Sequence, residues 1–166
     1  MERVLVIGPP GAGKSTLATE IARRIGLPLI HLDRHHWRAG WVEADKAEWA
    51  AQVGELAARE RWVMDGNYSG TLAARLARAD TAIWLDFPVW LCLARVFRRA
   101  VQYRGQVRPD MADGCPEQLN WEFLVYTARF PWIGRKRILD KLPGFSGRLI
   151  RLRRPREAGR FLRSLD

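Results

Sequence analysis

A glycine-rich turn between a β-branched run and a helical stretch constrains this chain more than any other feature. The run Arg3–Ile7 reads RVLVI and stops at Gly8, as a buried parallel strand does. From Lys14 onward, apolar residues recur at helical spacing up to Gly26, which predicts a helix that ends there. A strand, a loop and a helix in this order predict an α/β fold, because parallel strands need a crossover connection.

The loop Gly8–Ser15 fits the pattern GxxxxGK[ST], the P-loop. Its glycines let backbone N–H groups point at phosphate oxygens, and the start of the following helix adds a positive dipole end. Lys14 is expected to reach the β and γ phosphates of ATP, and the Ser15 hydroxyl to ligate Mg²⁺. Thr16 stays open between an α-phosphate contact and a helix cap. The predicted nucleotide-binding residues of the loop are Gly8, Gly11, Ala12, Gly13, Lys14, Ser15 and Thr16.

The rest of the chain continues the alternation of strand and helix, and its 166 residues favour a single domain, 1–166. Further strands are predicted at residues 27–32, 62–64, 82–85 and 148–152. Helices are predicted at residues 45–59, around 72–76, from 88, from 116, near 133–142 and at 157–165. The resulting five-stranded parallel sheet has helices on both faces. Ligands bind at the carboxyl ends of such strands, where Asp33, Asp65 and Asp86 are expected to gather with Gly8.

The basic residues are concentrated in the second half of the chain. Residues 1–90 hold 11 Lys or Arg and 11 Asp or Glu, whereas residues 91–166 hold 17 and 7 and so carry the whole net charge of +10. All but four of the 28 basic residues are Arg, whose planar guanidinium suits phosphate oxygens. Codon usage explains an Arg excess equally well, but not its position. The second half is therefore expected to face anions, with weak, non-specific nucleic-acid binding as one consequence.

Several classes of protein are excluded by composition. The apolar runs are too short for a bilayer crossing, and the apolar residues 4–7 are too few for a secretory signal, so a cytoplasmic protein is expected. Cys92 and Cys115 have no CxxC pattern or Cys/His cluster beside them, which predicts free thiols and no zinc site. The oligomeric state stays open between monomer and homodimer.

Four longer blocks carry a resemblance to a known group. They are GPPGAGKST (8–16), HLDRHHW (31–37), MDGNYSGTL (64–72) and RLARADTAIWLDFPVWLCLARV (75–96). On these blocks the chain resembles small kinases related to adenylate kinase, and most closely the bacterial DNA topology modulation (FlaR-type) proteins. The resemblance implies a three-layer P-loop nucleoside-triphosphate-hydrolase fold, an acceptor-binding segment at residues 33–60, and a short lid at residues 103–116. It also implies ATP and Mg²⁺ as cofactors.

The same resemblance implies roles on the acceptor side. Asp65 is similar to the carboxylate that holds a water on Mg²⁺ in adenylate kinases, although an Asp-Gly pair also forms simple turns. Gly66 is similar to the glycine that lets the acceptor approach. Those kinases continue with Pro-Arg, whereas this chain has Asn67-Tyr68, so contact with an acceptor phosphate would fall to Arg75.

Asp33 follows the second strand, where related small-molecule kinases place a carboxylate that orients the acceptor hydroxyl and takes its proton. Trp37 stays open between stacking on a base and packing in the core. The three histidines His31, His35 and His36 are expected to be surface or packing residues, because no Cys or Glu cluster accompanies them. Asp86 stays open between a Walker B carboxylate and a helix cap.

Arginines follow at the spacing of a phosphate clamp. Arg95 and Arg99 lie four residues apart on one helix face, where like charges repel and a bound anion would relieve the repulsion. They resemble the lid-helix arginines of adenylate kinases, which contact the transferring phosphate, and Arg108 would approach from the lid. Arg153 and Arg154 occupy the stretch that packs against adenine in those kinases, or form an exposed basic turn.

The sequence therefore predicts an ATP-dependent phosphotransferase that acts on a small acceptor, with a nucleoside or nucleotide favoured. The predicted catalytic residues are Lys14, Asp33, Arg95, Arg99 and Arg108. The predicted acceptor-binding residues are Asp33, Trp37, Gly66, Asn67, Tyr68 and Arg75, and the predicted Mg²⁺ ligands are Ser15 and Asp65. Two alternatives remain, a nucleic-acid-stimulated ATPase that affects DNA topology and a non-catalytic nucleotide-binding regulator.

Overall fold

The computed structural model describes residues 1–165, in which strands and helices alternate along the chain. The strands are β1 (Arg3–Ile7), β2 (Leu29–His31), β3 (Trp37–Arg38), β4 (Val42–Glu43), β5 (Trp62–Asp65), β6 (Thr81–Leu85) and β7 (Arg148–Leu152). The helices are α1 (Lys14–Ile25), α2 (Leu32–His36), α3 (Lys46–Ala58), α4 (Leu72–Arg78), α5 (Val89–Gln102), α6 (Trp121–Arg129), α7 (Gly134–Leu139) and α8 (Pro155–Arg163). A 3₁₀ turn, Leu142–Gly144, follows α7.

Five of the strands form one parallel sheet in the order β2-β5-β1-β6-β7, which confirms the predicted sheet. The central strand β1 pairs Val6 with Asp65 on one side and with Ile83 on the other. This register brings the P-loop and the carboxyl ends of β5 and β6 to the same edge. The remaining strands, β3 and β4, form a short antiparallel hairpin with two residues in each strand, within the predicted acceptor segment.

Apolar residues cover both faces of the sheet, as a parallel sheet between two helical layers requires. Leu5 and Ile7 of β1 pack with residues of α3, α4 and the α6–α7 region. Val4 and Val6 point to the other face and pack with residues of α1, α5 and α8. Among residues 1–165, no helix combines the length and the apolarity that a bilayer crossing requires.

Several element limits differ from the predicted ones for local reasons. The second strand is only three residues long, because Leu32 begins the short helix α2, and Asp33 therefore lies in the first turn of a helix. The helix predicted from Pro116 begins at Trp121, because the Asn120 side chain accepts hydrogen bonds from the Glu122 and Phe123 N–H groups (2.8 and 3.4 Å). Pro88 caps α5 rather than starting it.

The predicted lid, residues 103–116, contains turns and no helix or strand longer than a single bridge. Isolated bridges join Val107 to Pro116 and Arg104 to Glu117, so the segment folds back on itself and returns to the end of α5. The thiols of Cys92 and Cys115 are free and buried, as expected.

Candidate active site

The P-loop is pressed against the rest of the sheet edge so closely that only glycine fits at two of its positions. A Cβ on Gly8 (φ 148°) would lie 2.4 Å from the Leu85 carbonyl oxygen, and one on Gly11 (φ 76°) would lie 2.3 Å from the Cys92 carbonyl oxygen. Both glycines also have the positive φ that side chains disfavour. The loop is thus fixed between β6 and α5.

Lys14 begins α1 and folds back over the loop. Its Nζ donates to the Pro9 carbonyl oxygen at 3.0 Å. Burial lowers the pKa of Lys14, while the negative charges of Asp33 and Asp65 oppose that shift. The ammonium group therefore faces two carboxylates across the carboxyl edge of the sheet, where the sequence predicted them.

Asn67 ties the end of β5 to the start of the P-loop. Its Nδ2 donates to the Gly8 carbonyl oxygen (2.6 Å), and its Oδ1 accepts from the Gly8 N–H (3.1 Å). The sequence predicted an acceptor contact for this residue. In the structure both polar ends of its amide hold the phosphate loop instead.

Asp65 ends β5 and forms a buried pair with His31, the last residue of β2. His31 Nδ1 and Asp65 Oδ1 are 2.7 Å apart, and their side chains are 11% and 6% exposed. Burial alone would lower the pKa of His31, but the hydrogen bond to Asp65 and its charge outweigh burial and raise it. His31 is thus a packed histidine, as one of the expected alternatives had it, and its hydrogen bond places it beside Asp65.

Asp33 lies beside this pair and accepts a hydrogen bond from the Tyr68 hydroxyl to its Oδ1, at 2.5 Å. Burial raises the pKa of Asp33; the Tyr68 hydrogen bond lowers it and the charge of Asp65 raises it further. Tyr68 has a positive φ of 29°, which turns its ring towards α2. The predicted proton acceptor is therefore a desolvated carboxylate held by a phenol.

Tyr68 belongs to a group of five rings in mutual contact, which we call the aromatic cluster: His36, Trp37, Trp41, Trp49 and Tyr68. His36 packs against three of the others, with ring centroids 4.5 to 5.1 Å away. Trp49 is 7% exposed and belongs to the core, whereas Trp37 and Trp41 are half-buried. Of the three tryptophans, only Trp37 and Trp41 thus keep accessible ring surface.

Arg75 points inward, away from the space beside Asp33. It is 0% exposed, and its guanidinium donates to the carbonyl oxygens of Gly66 (2.9 Å), Asn67 and Tyr68 (3.0 Å). Desolvation lowers the pKa of Arg75 to about 9. The predicted contact with an acceptor phosphate does not fit this placement, because the guanidinium is already held by the turn that follows β5. Gly66 begins that turn at φ 129°, where a Cβ would lie 2.9 Å from Leu32 Cβ.

The arginines predicted to clamp phosphate lie on α5 and in the lid, and carboxylates hold two of the three. Arg95 donates to the Ala12 carbonyl oxygen of the P-loop (3.1 Å). Arg99 and Arg108 both reach Glu117, with Nε–Oε2 distances of 3.1 and 2.6 Å. Glu117 is only 5% exposed. One buried carboxylate thus joins the lid to the base of α5.

The lid also lies close to the P-loop. Asp110 pairs with Arg108 at 2.9 Å, and Ser15 is near enough to act on the pKa of Asp110. Burial would raise the pKa of Asp110, but the Arg108 charge and the Ser15 hydroxyl lower it. Sequence reasoning missed both Asp110 and Glu117. The available signal was that buried arginines in a predicted lid require carboxylates close by.

A cleft of about 480 Å³ opens beside Pro9 of the P-loop. Arg153 and Arg154 line it after β7, where the sequence predicted the adenine side. Asp86, at the end of β6, lies in the same cleft and is paired with Arg135 (3.2 Å) and Arg151. These pairs account for Asp86 without the Walker B role or the cap considered from sequence.

Ser15 and Asp65 offer the oxygen atoms that Mg²⁺ prefers. Within residues 1–165, no group of three or more His, Cys, Asp or Glu side chains could hold a metal ion alone. Mg²⁺ in nucleotide sites takes only one or two protein ligands and completes its shell with phosphates and water, so this donor set fits it.

Comparisons with known proteins show which fold this chain has. The ATPase family associated with various cellular activities (AAA) matches residues 4–64, from β1 to β5. The structure of a shikimate kinase from Bacteroides thetaiotaomicron matches with a TM-score of 0.59 and 17% identity, over 99% of this chain and 95% of that protein. A shikimate kinase from Acinetobacter baumannii matches with a TM-score of 0.59 and 18% identity, over 99% of this chain and 90% of that protein. A gluconokinase from Sinorhizobium meliloti 1021 matches with a TM-score of 0.56 and 17% identity over 99% of this chain and 89% of its own. The fold is thus a P-loop kinase-like α/β fold, as predicted.

Sequence similarity to a particular kinase is confined to a short segment. An adenylate kinase from Kocuria rhizophila is 60% identical over 30 residues, which is 18% of this chain and 16% of that protein. The chain therefore spans less than a fifth of this relative in the match. The resemblance to the topology modulation proteins stays a prediction.

Proposed function

We propose that the protein transfers the γ-phosphoryl group of ATP to a hydroxyl group of a small acceptor, a nucleoside or nucleotide by its resemblance to adenylate-kinase-related proteins. The observation that carries this proposal is the half-buried carboxylate of Asp33, held by Tyr68 and close enough to Lys14 for the two charges to interact. A protein that only binds nucleotide has no use for a desolvated carboxylate opposite the P-loop lysine. A kinase needs one to orient the acceptor hydroxyl.

In the proposed phosphoryl transfer, some residues stabilise negative charge and others orient the acceptor hydroxyl. Lys14 and the P-loop N–H groups bind the β and γ phosphates, and Arg95, Arg99 and Arg108 stabilise the charge that spreads over the transferring oxygens. Asp33 accepts the proton of the attacking hydroxyl. Mg²⁺, held by Ser15 and through Asp65, neutralises phosphate charge when bound.

The arginines must exchange partners to do this. In the structure Arg99 binds Glu117, and Arg108 binds both Glu117 and Asp110. Asp110 lies near Ser15, which is the predicted Mg²⁺ ligand. ATP phosphates carry more negative charge than these carboxylates and would draw the arginines towards the P-loop. The lid carboxylates thus keep the clamp close to its position of use.

The test is an acceptor screen with ATP and Mg²⁺ in which mass spectrometry detects a product that has gained one phosphoryl group. A matched arm replaces the acceptors with duplex or single-stranded DNA and measures ADP release. Lys14→Ala serves as the control for P-loop dependence in both arms. ADP release stimulated by DNA, without any phosphorylated small molecule, would replace the kinase with the nucleic-acid-stimulated ATPase. A protein that binds ATP and turns nothing over would be the regulator.

A further inference from the structure

We infer that the acceptor enters this site as an unphosphorylated ring compound with a free hydroxyl, such as a nucleoside or a sugar, and not as its phosphate ester. The inference rests on the proposed function and narrows its acceptor. It is carried by the position of Arg75, by the charges around Asp33, and by the exposed rings of the aromatic cluster.

A phosphorylated acceptor needs a cation at its phosphate, because a phosphate monoester carries about −1.5 to −2 charges near neutral pH. On the acceptor side, Arg75 is the residue that was predicted from sequence to make this contact. Its three hydrogen bonds to carbonyl oxygens of the turn after β5 leave it 0% exposed. Releasing it would strand those carbonyls in a buried turn, which costs about 1–3 kcal/mol for each unsatisfied group.

The charge beside Asp33 is negative. Asp33 and Asp65 lie close enough for each to act on the same Lys14, and Asp65 raises the pKa of Asp33. The arginines that face them, Arg99 and Arg108, already bind Glu117 and are predicted to clamp the phosphates of ATP. A second phosphate group on the acceptor would therefore meet carboxylates without a free counter-charge. A neutral hydroxyl needs only the carboxylate oxygen that Asp33 offers.

The other cations nearby do not form a closed phosphate pocket. Arg38 pairs with Glu48 at 2.8 Å. Arg34 follows Asp33 on α2 but is exposed, so its charge is screened by solvent and is not fixed beside the acceptor. Arg137 lines a cavity with Asn67 and Tyr126, but that cavity holds only about 20 Å³, which is room for about one water molecule. A phosphate group does not fit in that space.

On the acceptor side, the accessible surface is aromatic rather than cationic. Trp37 and Trp41 are half-buried, and their ring centroids are 5.4 Å apart with planes at 72°. Trp41 Nε1 donates to the Pro116 carbonyl oxygen (3.2 Å), which fixes this ring against the end of the lid. Fixed aromatic faces at the edge of a polar site bind the flat or apolar face of a ring. The acceptor is thus a ring that carries the hydroxyl for Asp33.

The experiment compares matched pairs on the wild-type protein with ATP and Mg²⁺: nucleosides against their 5′-monophosphates, and sugars against their sugar phosphates. Product is measured by mass spectrometry, and kcat/KM is determined for every compound that gains a phosphoryl group. We expect the unphosphorylated member of the best pair to exceed its ester by at least about 100-fold, because the ester leaves charge unpaired in a buried site.

A phosphate ester that is the better substrate would overturn the inference and leave the proposed kinase function intact. ADP release that depends on Lys14, with no phosphorylated product from any pair, would overturn both. A second measurement uses Arg75→Lys, with Arg78→Lys one turn along α4 as the exposed control. The inference expects Arg75→Lys to lower the melting temperature, because the guanidinium holds the turn after β5, and to change kcat/KM for a neutral acceptor and for its phosphate ester by the same factor. A selective rise of KM for a phosphate ester would contradict it.

Discussion

Lys14 is the residue whose charge the proposed reaction uses most directly. Its ammonium lies at the start of α1, bound to the Pro9 carbonyl oxygen, and faces Asp33 and Asp65. We expect Lys14→Ala to lower turnover by about 100-fold or more, because the charge is lost where the phosphoryl oxygens develop theirs. Turnover is measured as ADP release with the best acceptor. Lys46→Ala, an exposed lysine at the start of α3, is the matched control and should act like the parent.

Unchanged turnover in a folded Lys14→Ala protein would contradict the assignment of the loop. Folding is checked by the melting temperature, which should stay near that of the parent. The Nζ group makes one hydrogen bond to the loop, and burial opposes its charge, so its removal costs the fold little.

Tyr68 acts on the reaction through Asp33. Burial raises the pKa of Asp33, and the hydrogen bond from Tyr68 lowers it. Asp33 accepts a proton only when ionised, so kcat should fall as the pH drops through its pKa. Tyr68→Phe removes the stabilising donor, raises the pKa of Asp33 and should move the acidic limb of the pH profile to higher pH. The measurement is kcat against pH, with Tyr103→Phe at the end of α5 as the control.

A Tyr68→Phe profile with the acidic limb unmoved, or moved to lower pH, would show that Asp33 is not the titrating base. A uniform loss at every pH would instead indicate that the Tyr68 hydroxyl orients Asp33 without setting its pKa. The two results are separable because Phe keeps the ring and removes only the hydroxyl group.

At the scale of elements, α5 and the lid act together through Glu117. Arg99 comes from the helix and Arg108 from the lid, and both end on this one carboxylate. We expect Arg99→Ala and Arg108→Ala each to lower kcat by about 100-fold while changing ATP affinity much less, because a contact made mainly in the transition state appears in kcat. The measurements are kcat with the best acceptor and ATP affinity by calorimetry.

Arg98 provides the matched control for these variants. It lies next to Arg99 on α5 but is exposed, so Arg98→Ala should leave kcat unchanged. If Arg99→Ala and Arg108→Ala also turn over like the parent, the arginines hold Glu117 for stability alone. A loss of ATP affinity equal to the loss of kcat would indicate ground-state binding.

The elements also show which features can be predicted from sequence. The strand, loop and helix of residues 3–25 were predictable because the glycine spacing and apolar periodicity are local signals. The start of α6 was not, because the cap at Asn120 overrides the helical pattern that begins at Pro116. The His31–Asp65 pair joins residues 34 positions apart through a strand register, which no local pattern encodes.

Arg75 illustrates the same limit on the acceptor side. An arginine in a short helix reads as a surface cation, because arginine is seldom fully buried. Its burial is set by the turn after β5, whose three carbonyl oxygens converge on one guanidinium. The residues at the carboxyl edge of the sheet were predictable from the strand ends and the P-loop, whereas the contacts that surround the proposed acceptor site depend on tertiary structure.

For the whole molecule, two groups of arginines differ in their partners. Inside the site and its cleft, several arginines pair with carboxylates, as Arg108 does with Asp110 and Arg151 with Asp86. Along α8 the arginines are exposed and recur on one face, and they are Arg156, Arg160 and Arg163. The first group suits a bound phosphate, and the second offers only point contacts to a polyanion.

Duplex DNA should therefore bind weakly, through phosphate contacts on α8, and the binding should be lost near physiological salt. A compact patch without an element that enters a groove has no base contacts to add specificity. Replacing Arg156, Arg160 and Arg163 by Glu should remove the low-salt binding and reduce the slope of log K against log salt by about three, roughly one for each lost phosphate contact. Kinase turnover should be unchanged, because these side chains point to solvent away from Lys14.

The measurement is fluorescence anisotropy of labelled duplexes across a salt series, with the exposed residues Lys46, Arg59 and Arg78 changed to Glu as the control of equal charge. Tight, sequence-selective binding at physiological salt, or equal loss in the control, would contradict this and favour the nucleic-acid-stimulated ATPase.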